Sequence, residues 1–158
     1  MGQCNSCQKI VLVNGSTHEI FPTPLPKPID ERIKGPIKDD FIESRRCFSI
    51  GAFRASAVMA RRALQSICLD KGAKVSDKLE KQIDWLFAQG IITKDLKNWA
   101  HEVRLVGNDA AHPKKPDEDT PVTQQEAEDI LNLLDQFCQV LYVAPSIAEE
   151  RRNARISK

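Results

Sequence analysis

The sequence predicts an all-α domain, a bundle of about five helices, preceded by a small β-hairpin that carries two cysteines. Three observations carry that reading. From Gly35-Pro36 onward, apolar residues recur three and four positions apart, the spacing of one face of a helix. Gly51, Gly72 and Gly90 separate these periodic stretches, with Ser76, Thr93 and Thr123 as capping residues. Residues 1–21 have a different character, two short β-prone runs on either side of Asn14-Gly15, a pair that tolerates the positive φ of a tight hairpin.

In the N-terminal unit, Cys4-Asn-Ser-Cys7 precedes Ile10-Val-Leu-Val13, so a cysteine pair sits on a turn beside a hairpin, as in one knuckle of a zinc ribbon. A closed structural zinc site takes four ligands, and the second pair is missing. The alternatives are a degenerate half-site, a site shared between two chains, or a chain shortened at its N-terminus; His18 joins as a third ligand only in a special geometry. Pro22, Pro24, Pro26 and Pro28 then alternate along residues 22–36, which favours an extended polyproline-like linker.

The helical domain is read over residues 37–145. Its first helix runs from about Asp39 to Ser49 with Phe41 and Phe48 as contacts, and its second carries Phe53, Ala57, Ala60, Leu64 and Ile67. Ser76 caps a third helix with the stripe Leu79, Ile83, Leu86 and Phe87, and Thr93 caps a fourth. Residues 113–122 are a loop rich in proline and charge. Thr123-Gln-Gln-Glu126 is a capping box that opens a fifth helix, whose seam is Ala127, Ile130, Leu134, Phe137 and Leu141 and which Pro145 ends or kinks. Residues 146–158 read as a charged C-terminal tail or frayed helix.

The 158 residues and 41% apolar content suit one domain with a small appendage. A formal charge of +1 gives no global argument for nucleic acid or membrane, although local basic patches remain open. Arg45, Arg46, Arg54, Arg61 and Arg62 read as a solvated basic face with acidic neighbours in preference to a phosphate-binding surface. No apolar run approaches the ~20 residues of a membrane span, and the N-terminus lacks a signal pattern, so the expected location is the cytoplasm. Cys68 and Cys138 fall on apolar flanks, which favours reduced core thiols over disulfides.

The fourth helix carries the chemistry. Leu96, Trp99, Val103, Val106 and Ala110 form its apolar side, while Arg104, Asn108 and His112 follow at i, i+4 and i+8 on a polar flank, with His101 one turn before Arg104. Pro113 places His112 at or near the helix C-terminus, where the dipole favours the protonated ring. His101-Glu102 lacks the second histidine of H-E-x-x-H, which excludes that zinc signature. The three-residue stripe reads in two ways: as a site for chemistry on a phosphodiester, or as a polar network that locks the bundle, with Gly107 allowing close packing and His112 capping carbonyls.

The runs Gly51 to Leu64, Gly90-Ile-Ile, Trp99 to His112 and Glu126-Ala resemble a prokaryotic family, the domain of unknown function numbered 4145, over about residues 37–145. Its most specific part here is Arg104-Leu-Val-Gly-Asn-Asp-Ala-Ala-His112, and members often carry a cysteine-knuckle N-terminus. The resemblance implies a bundle related to the HEPN superfamily, whose active members are metal-independent ribonucleases of toxin–antitoxin and phage-defence systems and need no cofactor. It implies a homodimer, RNA as substrate, a partner protein or antitoxin, and Arg104, Asn108 and His112 as site residues. The chain departs from the HEPN pattern just before Asn108, where Gly107 stands and the nearest arginine is Arg104, one turn earlier. The alternative function is a non-catalytic helical module for dimerisation or for recruiting nucleic acid or protein.

Overall fold

The structure is a computed structural model that describes residues 2–3, 10–18, 20–21, 28–33, 35–111 and 121–156, and of residues 104–111 only the backbone. Three short strands, β1 (Gly2–Gln3), β2 (Ile10–Val13) and β3 (Ile20–Phe21), form an antiparallel sheet in that order, with Gly2 opposite Val11 and Val13 opposite Ile20. The β2–β3 connection is wider than the two-residue Asn-Gly turn read from the sequence. Asn14 organises it by a different route: its side-chain oxygen accepts from the amide of Ser16 at 3.0 Å, its carbonyl accepts from the amide of His18 at 2.8 Å, and His18, not Gly15, takes the positive φ of 59°. Cys4 and Cys7, between β1 and β2 in sequence, lie outside the described residues.

The helical domain is all-α, as the periodicity predicts. It comprises α1 (Gly35–Ser49), α2 (Phe53–Asp70), α3 (Leu79–Ala88), α4 (Lys94–Ala111) and α5 (Gln124–Cys138), and α5 continues through a π-helical stretch (Gln139–Val143) into α6 (Ala144–Ile156). Helix α2 is the hub, packed against α1, α3, α4 and α5. Small side chains make this possible: Ser56, Ala57, Ala60 and Ala63 are fully buried, so neighbouring backbones approach closely, and Leu64, Ile67 and Cys68 fill the space beyond. Where α1 meets α2, the buried Ser44 hydroxyl donates to the Ser56 carbonyl at 2.7 Å, which supplies the partner that a buried hydroxyl requires.

The ends of the helices obey local chemistry. Thr93 accepts from the amide of Leu96 at 3.2 Å and so caps α4. Thr123 and Glu126 form the reciprocal capping box of α5, in which the Thr123 amide donates to the Glu126 carboxylate at 2.8 Å. Helix α3 corrects the expectation for Ser76: it starts at Leu79 after Lys78, which makes no side-chain cap. The preceding turn is held by Gln82 instead, whose buried side-chain amide donates to the Lys74 carbonyl at 2.9 Å. Gly72 is fixed by its φ of 102° and by Trp85, whose ring lies 3.2 Å from where a Cβ would stand.

Two boundaries and two faces also differ. The proline-rich linker does not extend to the bundle: Ile29 and Ile33 are buried with the core residues, and α1 begins at Gly35. Between them Arg32 ties this segment to α6 through two hydrogen bonds of 3.1 Å to Glu150. The stretch read as a charged tail or frayed helix is helix as far as Ile156. Pro145 neither ends nor breaks it, because the wider π turn carries the chain past the proline: the Ala144 amide bonds to the Gln139 carbonyl, five residues back. On α4 the buried face is Leu96, Ala100 and Val103, whereas Trp99 is 36% exposed, and on α3 Phe87 is likewise turned outward. The continuous helix Gln124–Ile156 is long and apolar enough, by composition, to pass for a membrane span, a match that counting unbroken apolar runs does not find. Its apolar residues Ile130, Leu133, Leu134, Phe137, Leu141 and Val143 are buried in the bundle.

Candidate functional site on the α3–α4 hairpin

Helix α4 is held by its Thr93 cap and by Leu96, Ala100 and Val103, packed toward α2, α3 and α5. Its helical backbone reaches Ala111, so positions 104 and 108 stand one turn apart, as the sequence spacing requires, with Gly107 on the turn between them. The side chains of Arg104 and Asn108, and the whole of His112, lie outside what the structure describes.

One turn upstream, a polar cluster joins α3 to α4. Asp84 of α3 accepts at one carboxylate oxygen from the Lys97 ammonium at 2.8 Å and meets His101 Nε2 at 3.0 Å. The Lys97 hydrogen bond, reinforced by His101 and opposed by partial burial, holds the Asp84 carboxyl below the ordinary carboxylate range. The Lys97 ammonium also lies 5.0 Å from the centre of the Phe87 ring. The His101 side chain is 24% exposed, and a carboxylate at one ring nitrogen fixes the plane of the imidazole. The arrangement can orient a proton-transfer group, and it also clasps the hairpin shut. Asp84 stands 17 residues before His101, and only the fold brings the two together.

The basic residues of α1 and α2 have the expected acidic neighbours where their partners are described, but of Arg45 and Arg62 only Arg62 is solvated, its side chain 67% exposed against 18% for Arg45. Arg45 pairs with Asp135 at 3.1 Å and lies 4.3 Å over the Phe41 ring, and Arg62 lies 3.2 Å from Asp40. Asp40 was not singled out in the sequence. It is 5% exposed on α1, and burial pushes its carboxyl up, with Arg62 opposing. Its Oδ2 is close to Arg62 but lacks an aligned hydrogen bond. Cys47, Cys68 and Cys138 are free thiols, and burial pushes Cys68 and Cys138 up to about 12, which keeps them protonated core residues. Among the described residues, no group of three His, Cys, Asp or Glu side chains is placed to hold a metal ion.

The fold is an all-α bundle, and the polar positions 104 and 108 stand one turn apart on its fourth helix. Residues 42–158 match the family described as "Domain of unknown function (DUF4145)", and the chain belongs to that family. No curated protein and no solved structure matches it.

Proposed function

We propose that this protein is a HEPN-like, homodimeric, RNA-directed protein of prokaryotic defence or toxin type, acting in the cytoplasm, with metal-independent RNA cleavage as its reaction. The supporting observation is the α4 backbone, helical from Lys94 to Ala111, which sets positions 104 and 108 one turn apart, with His112 next in the sequence. Cleavage without metal needs a group to deprotonate the ribose 2′-hydroxyl, a group to protonate the leaving oxygen, and a cation for the phosphorane. His112 serves as acid or base, Arg104 clamps the phosphate with its planar fork, and Asn108 positions a substrate oxygen. One histidine supplies one proton-transfer group per chain, so a second copy across a two-fold axis completes the set. The test is cleavage of RNA by the purified protein in the presence of a chelator. The expected result is that His112→Ala abolishes cleavage and leaves the thermal melt unchanged.

A second reading, a non-catalytic module that binds a partner, draws on the Asp84–Lys97–His101 clasp, which shows α4 polar residues already engaged in holding the bundle. It predicts no cleavage, together with a fall of several degrees in Tm for both Arg104→Ala and His112→Ala.

A further inference from the structure

Helix α6 is the most weakly covered element of the domain. It has no buried residue, and every residue from Arg151 to Ile156 is exposed. Its attachments include the helix it continues, Ile147 against the core, and the Arg32–Glu150 pair. Beyond Glu150 the described helix carries Arg151, Arg152 and Arg155 and no acidic residue. At ~100° per residue these three occupy an arc of about 100°, and Arg151 and Arg155 start ~6 Å apart along the axis. Arg32, Arg45 and Arg62 each stand beside a carboxylate, whereas among the described residues Arg151, Arg152 and Arg155 meet none. The helix dipole favours a cation in the last turn, which accounts for Arg155 but not for Arg151 and Arg152 a turn earlier. The described α6 thus carries a net +1, with Glu149 and Glu150 followed by three arginines toward its exposed end.

We propose that this face of α6 binds the phosphate backbone of RNA. The proposal rests on the RNA-directed reading above and extends it to a surface outside the α4 motif. Planar guanidinium forks match phosphate oxygens, and an exposed, already helical stripe presents them with little ordering cost. A bilayer surface fits less well, because α6 has no continuous apolar face to insert: Ile147 is turned to the core, and Ile156 is its one exposed large apolar residue. The described part of α6 carries no aromatic side chain for base stacking, so the contact reads charge and not sequence.

The experiment is fluorescence anisotropy of a labelled single-stranded RNA with the full chain, over a salt series, comparing wild type, the triple variant Arg151→Gln/Arg152→Gln/Arg155→Gln, and the corresponding triple lysine variant. Three lost phosphate contacts lower the salt slope by about 2, so the wild-type advantage shrinks about 20-fold between 50 and 200 mM salt. The lysine variant retains most of the affinity, and all three proteins have the same melt. Equal affinity and slope for wild type and the glutamine variant overturn the proposal, as does loss of binding in the lysine variant. Binding that depends on these arginines for equimolar phosphatidylcholine–phosphatidylserine vesicles, without any for RNA, overturns it too. Cleavage separates the two readings. Arginine-dependent binding without any cleavage keeps the α6 surface and removes the ribonuclease, whereas cleavage with an unchanged KM in the glutamine variant does the reverse.

Discussion

Replacing Ile33 by alanine tests whether the segment before α1 is part of the bundle. Ile33 is 1% exposed, Ile29 is 8% exposed, and Arg32 between them holds Glu150 of α6 through two bonds. Emptying so enclosed an isoleucine costs about 2–5 kcal/mol, the lost transfer free energy plus the cavity left behind. In a chain of this size each kcal/mol lowers Tm by about 2–4 °C, so the variant is expected to melt about 4–20 °C below wild type. Ile33→Val, one methyl smaller, costs about 0.5–1.5 kcal/mol and grades the effect. Ile50, 72% exposed at the α1–α2 turn, is the control, and Ile50→Ala stays within about 0.5 kcal/mol of wild type. The assay is urea and thermal unfolding followed by circular dichroism, with the urea m-value checked for constancy. If Ile33→Ala melts together with Ile50→Ala, the segment is a linker and the packing argument is wrong.

Two further outcomes are expected. Thr123→Ala removes the hydroxyl that accepts from Glu126 and loses about 1 kcal/mol, read as a drop of a few degrees in Tm that Thr123→Ser largely restores. Asp84→Ala removes two half-exposed contacts of at most about 1 kcal/mol each. Because the folded state holds the Asp84 carboxyl below its ordinary 3.8, this contribution is present above that pH and is lost as pH falls through the lowered value. The gap between wild type and Asp84→Ala in urea melts therefore narrows below about pH 4, and a gap as wide at pH 3 as at pH 7 contradicts the assignment.

The elements legible in the sequence were those whose information is local. The α5 seam of Ala127, Ile130, Leu134, Phe137 and Leu141 is buried as read, and the Thr93 and Thr123 caps form because each needs only residues three positions away. The burial of Ile29 and Ile33 was hidden by the alternating prolines before them, which dominate the local pattern although tertiary packing decides the outcome. Trp99 is apolar yet 36% exposed, because apolar character alone does not decide burial and Ala100, a smaller residue one position on, occupies the packed face. In the candidate site, the one-turn spacing of Arg104 and Asn108 follows from helical period alone. The Asp84–His101 contact joins two helices across the Gly90 turn and has no signature within either segment.

The π stretch at Gln139–Val143 acts as a phase-setting gear between the buried half of the long C-terminal helix and its protruding half. Accommodating one surplus residue there advances everything downstream by roughly a quarter-turn. Excising a single residue would straighten the ladder and swing Glu150 away from Arg32, even though neither partner was altered. An indel at this point is therefore expected to uncouple the protruding helix where conservative substitutions would not.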